Sequence, residues 1–181
     1  MPSIDFAWIG DQISHVNLAT PTWDLFILLF FLVGTLVYGM TLGRERVVML
    51  IVAIYMDLAV VSYAPYIHDM KTSLTLGAGF ALQITTFIGI FLILLFLLSK
   101  TALAHSFSLG DGGAWWQVLT FSALHVGLLT SVVLSYLPPD ALNALTPVTR
   151  EIFTSDQGRF AWIVVPILAM VIIRGEKKPK V

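Results

Sequence analysis

Cysteine is absent from this chain, and charge is scarce: Asp, Glu, Lys and Arg together make up 12% of it. The first absence excludes disulfides, thiolate metal ligands and cysteine nucleophiles. The second says more. A soluble domain carries roughly 25% charged residues, and 181 residues with half that share lack the polar groups to cover a globular surface. A net charge of −1 removes the electrostatic basis for nucleic acid as a partner. Apolar residues are plentiful, at 57% of the chain with a mean hydropathy of +0.88. The expected solvent for most of the surface is lipid.

A helix needs about 20 apolar residues to cross a hydrocarbon core of about 30 Å. Four runs meet that length: Trp23 to Leu42, Val47 to about Tyr66, about Leu76 to Ser99, and about Trp115 to Leu137. Pro138 and Pro139 stop the last of them. A fifth, shorter run covers Phe160 to Ile173, with Pro166 near its middle. Charge supports a fifth crossing. With five spans and the N-terminus outside, Arg44, Arg46, Lys100, Arg174, Lys177, Lys178 and Lys180 lie inside, against Lys71, Arg150 and Arg159 outside. Seven against three obeys the positive-inside rule, and four spans would erase the bias. The expected fold class is thus an all-α, polytopic transmembrane helix bundle of four long spans and a shorter C-terminal fifth.

Residues 1–22 read as a separate N-terminal interfacial segment, and 23–181 as a single transmembrane domain. The lead-in carries Asp5 and Asp11 with no Lys or Arg, unlike a cleaved signal. Its apolar residues Ile4, Trp8, Ile9, Ile13 and Val16 fall mostly on one helical side, as in a helix lying on the membrane outside. The outer connection at 138–159 mixes Asp140, Arg150, Glu151 and Asp156 with Leu142, Leu145, Ile152 and Phe153, which predicts short amphipathic helices. Trp23, Trp115, Trp116 and Trp162 fall at expected interfaces, where aromatic rings anchor helices.

Lipid gives helices no hydrophobic reason to associate, so small residues that let backbones approach matter. The third span carries Gly77, Ala81, Thr85 and Gly89 at every fourth position. The fourth carries Ala123, Gly127, Ser131 and Ser135 at the same spacing. Two ionisable residues lie at depth. Asp57 is ten residues from the inner end of the second run, His125 ten from that of the fourth, so both are expected near mid-membrane. Thr35, Thr85 and Thr86 fall within a turn or two of that level and would complete a polar layer. Charge at that depth costs about 2.5–3.5 kcal/mol on insertion scales. Asp57 and His125 therefore form either a proton- or ion-handling pair or a hydrogen-bonded pair that fixes helix register. His15, His68 and His105 lie in separate segments, and Gly110-Asp111-Gly112-Gly113 reads as a loop. The zincin, nucleophile-elbow, phosphate-loop and dinucleotide motifs do not occur, and no metal ligand set, cofactor or enzymatic activity is expected.

Trp23-Asp24 opening the first span, Gly39, and the inner turn Gly43-Arg44-Glu45-Arg46 leading into the second resemble the bacterial colicin V production protein (CvpA) family. So do Asp111 and the stretch Phe121-Ser122-Ala123-Leu124-His125-Val126-Gly127-Leu128-Leu129, where Ser122 and His125 replace the family's usual Gly and Arg. The likeness covers about Trp23 to Leu137. It implies a small protein of the bacterial inner membrane linked to bacteriocin production or envelope maintenance, with no established catalytic residues; the charge bias places its C-terminus in the cytoplasm. Expected partners are the lipid bilayer and either a second copy or an envelope protein. The alternative function is a small proton- or ion-conducting channel or transporter built on Asp57 and His125.

Overall fold

The structure, a computed structural model, describes residues 23–63, 76–101 and 114–173. The expected N-terminal interfacial segment, Lys71, His68, His105, the Asp111 loop and the basic tail lie outside these residues. The described chain is helical throughout, with no strand among its residues: α1 Trp23–Thr41, α2 Gly43–Tyr63, α3 Leu76–Lys100, α4 Trp115–Ser135, α5 Pro139–Asn143, α6 Pro147–Phe153 and α7 Asp156–Ile172. Four of these, α1 to α4, are long and apolar enough to cross a membrane. The shorter fifth crossing takes the form of a bent pair, α6 and α7, whose axes differ by 49°.

The junction between α1 and α2 is tighter than the sequence suggests. Arg44, Glu45 and Arg46 are the first turn of α2 rather than a loop before it. Gly43 makes this possible with a φ of 71°, a left-handed conformation that side chains strain to adopt. Charged residues interrupt the apolar run without interrupting the helix. At the other boundary, α7 starts at Asp156, four residues before Phe160, because Ser155 caps it by accepting from the Gly158 amide at 2.9 Å.

Helix α4 is the centre of the bundle. Within the apolar window of α4, 61% of residues are buried, against 6% for α1. Helices α1, α2 and α7 pack directly on α4, and α3 packs on α2. The main apolar core joins Val47, Ile51 and Ile54 of α2, Phe87 of α3, and Phe121, Leu128 and Val132 of α4. Many of the other large apolar side chains face outward. Phe26, Leu28 and Leu32 of α1, Leu92, Ile93 and Phe96 of α3, and Leu168 and Val171 of α7 are all more than half exposed. A surface of this kind is stable against acyl chains and not against water.

The helix ends define two levels. Asp24 marks one end of the bundle and Arg44 the other. Trp23 is exposed at the Asp24 end, and Trp115 and Trp116 at the Arg44 end, as membrane-interface rings are. The fourth expected interfacial ring behaves differently. Trp162 turns inward, donates its indole N–H to the Ile152 carbonyl at 3.0 Å, and stacks on Phe153 at 5.4 Å.

Candidate functional site

Among the polar side chains inside this bundle, some tie segments together and some carry atoms that find no partner among the described residues. Asp24 leads the first group. Its carboxylate accepts from the Thr146 amide at 3.1 Å and from the Thr146 hydroxyl at 2.9 Å. Thr146 is the N-cap of α6, so the acid satisfies a helix-terminal donor and complements the α6 dipole. At the opposite end, Arg44 donates to the Ile173 carbonyl at 2.8 Å, just beyond the last residue of α7, and lies 5.6 Å from the Phe121 ring centroid. A cation at a helix C-terminus is favourable on the same argument. Thus the α6–α7 arm is anchored at both ends, at Thr146 to α1 and at Ile173 to α2. It runs the full height between those levels.

Between the anchors, three further contacts fix the arm. Ser131 of α4 donates to the Phe153 carbonyl at 2.8 Å. Tyr55 of α2 donates to the Ile163 carbonyl at 2.7 Å. The neighbouring Trp162 carbonyl is the one Pro166 cannot serve, since proline has no N–H to return four residues back. Finally, Trp162 packs directly on Gly127, where a β-carbon would clash with the indole.

The two small-residue stripes therefore have different roles. In α4, Ala123 is half-buried, Gly127 receives Trp162 and Ser131 receives α6, so this stripe is the seat of the arm. In α3, Ala81 and Thr85 are exposed and a β-carbon at Gly89 would meet nothing within 4 Å. That stripe packs on no neighbour among the described residues. Gly77 lies in the first turn of α3, with its surroundings outside the described residues. The close approach of α1 to α4 uses glycines that the stripe pattern does not pick out. A β-carbon at Gly34 would come within 3.1 Å of Val126, and one at Gly39 within 3.6 Å of Leu119. Their spacing of five breaks the every-fourth pattern, although they share one helical face with Thr35 and Tyr38.

The second group consists of buried polar atoms with no hydrogen-bond partner among the described residues. These are both carboxylate oxygens of Asp57, Nδ1 of His125, the hydroxyls of Thr35 and Ser122, Oε1 of Gln117 and Nε of Arg44. Asp57 is 0% and His125 1% exposed. The two do not form a pair. Asp57 makes no hydrogen bond to the imidazole, and the register separates them. Arg44 and Phe121 mark a common level on α2 and α4, which run in the same direction. Asp57 follows Arg44 by 13 residues and His125 follows Phe121 by four. At 1.5 Å per residue, Asp57 lies on the order of 10 Å further toward the Asp24 end.

Their surroundings differ accordingly. Asp57 lies within electrostatic reach of Tyr136, just past α4, whose ring is 5.7 Å from Phe87. His125 instead meets α1, with its ring edge-on to Tyr38 at 4.9 Å. The expected layer divides on the same line. Thr35 shares the α1 seam with His125, Thr85 faces outward, and Thr86 is half-buried on α3. Equal counting from the ends of two hydrophobic runs suggested a shared depth. Their contacts lie apart instead, Asp57 near Tyr136 and His125 on Tyr38.

The described residues contain no group of three His, Asp or Glu placed to hold a metal ion. Compared with protein-family models, with curated proteins and with solved structures, the chain matches none.

Proposed function

We propose that this chain is a non-enzymatic accessory or scaffold protein of the bacterial inner membrane, with its C-terminus in the cytoplasm. The CvpA-like features at Trp23-Asp24 and Gly43-Arg44-Glu45 suggest a place in bacteriocin production or envelope maintenance. One observation carries the reading. The polar side chains with partners hold segments in place: Asp24 on Thr146, Arg44 on Ile173, Tyr55 on Ile163 and Ser131 on Phe153. A frame pinned at both ends presents a fixed surface, as a scaffold needs.

The second reading, proton or ion conduction, is favoured by the buried and unpartnered Asp57 and His125. The two readings separate in liposomes loaded with a pH-sensitive dye. For the scaffold, purified protein gives no proton flux above empty vesicles, and a defined envelope protein co-purifies at fixed stoichiometry in mild detergent. Flux above background that disappears in Asp57→Asn or His125→Ala would overturn it and establish the transport reading.

A further inference from the structure

Serine and threonine in membrane helices usually satisfy their hydroxyls by bonding back to a carbonyl three or four residues earlier. This chain does so repeatedly. Thr41 bonds to Val37 at 2.5 Å, Thr120 to Trp116 at 2.8 Å, Thr130 to Val126 at 2.7 Å, Ser99 to Phe96 at 2.7 Å and Ser135 to Val132 at 2.7 Å. Thr35 and Ser122 do not. Both are buried, 8% and 0% exposed, and neither hydroxyl has a partner among the described residues.

Both hydroxyls lie in the seam where α1 and α4 cross in opposite directions. Three contacts give its register: Gly34 against Val126, Tyr38 against His125, and Gly39 against Ser122. In that register Thr35 stands opposite His125 and Val126, and Ser122 stands one turn before His125 on the same helix. The Nδ1 of His125 is the third unpartnered atom of the seam. Tyr38, Leu119 and Val126 supply apolar walls.

We propose that the α1–α4 seam is a water-binding site formed by Thr35 Oγ1, Ser122 Oγ and His125 Nδ1. The donor set fits water. Two hydroxyls each donate and accept, a ring nitrogen does one or the other, and one water makes two to four hydrogen bonds. A cation is disfavoured because none of the three atoms carries negative charge and the surroundings are apolar. The site gives the hydroxyls a reason to leave their own helix. It also leaves His125 in contact with solvent that the apolar exterior otherwise excludes.

Solid-state NMR on the 15N-labelled protein in lipid vesicles tests the site through magnetisation transfer from water to the imidazole of His125, assigned with His125→Asn. The wild type is expected to show the transfer. Thr35→Val with Ser122→Ala is expected to lose it, with helicity and elution unchanged, while Thr130→Val keeps it. No transfer to His125 in the wild type, a measurement independent of any variant's folding, overturns the site. So does transfer that persists at full strength in the folded double variant.

Discussion

Gly127 and Gly89 belong to two stripes of the same spacing, and their surroundings are opposite. The indole of Trp162 fills the space a side chain at Gly127 would need, whereas Gly89 faces open surface. Gly127→Ala is therefore expected to cost about 1–3 kcal/mol, the usual penalty of overpacking. Gly89→Ala should change stability by less than about 0.5 kcal/mol. Thermal denaturation in detergent measures both. The cost at Gly127 should shrink in a Trp162→Leu background, because the clashing ring is then gone. Asp24 provides a second test at this scale. Asp24→Ala strands the Thr146 donors and should cost about 1–3 kcal/mol, while Asp24→Asn keeps one acceptor and should lose less.

The spans were legible in the sequence as lengths, because lipid enforces an apolar run of fixed size. Where α2 and α7 begin was not. Arg44, Glu45 and Arg46 break the hydrophobic pattern but not the hydrogen-bonded ladder, and Ser155 starts α7 through a cap that hydropathy does not register. Periodicity on α4 shows which residues share a face, but a face does not name its neighbour. That is why the α3 and α4 stripes looked alike, and why Thr85 was grouped with residues it does not accompany. Among the anchors, Asp24 and Arg44 stood out in the sequence, but their partners are a backbone amide and a backbone carbonyl, which have no sequence signature. Arg44→Ala should therefore loosen the C-terminal turn of α7 selectively. Hydrogen exchange should rise around Ala169 to Ile173 while α4 stays protected, and Arg44→Lys should recover only part of the protection because it lacks the planar fork.

As a whole, the molecule is a central helix wrapped by others whose outer faces are made for lipid. The absence of cysteine makes its orientation directly measurable, since any introduced thiol is unique. Trp23→Cys and Arg46→Cys lie at opposite ends of the bundle and both positions are exposed. In intact cells a membrane-impermeant maleimide should label Cys at 23 and spare Cys at 46; the reverse pattern would invert the proposed orientation.

The two anchors also set an order in time. Asp24 waits for Thr146, 122 residues later, and Arg44 for Ile173, 129 residues later. At a synthesis rate of about 5–20 residues per second, the first hairpin stands in the membrane on the order of ten seconds before its fasteners emerge. During that interval its acid and its arginine face lipid headgroups instead of helix ends. Closure of the arm then follows insertion of α1 to α4, and a chain arrested before residue 146 would hold those four helices and still be unlatched.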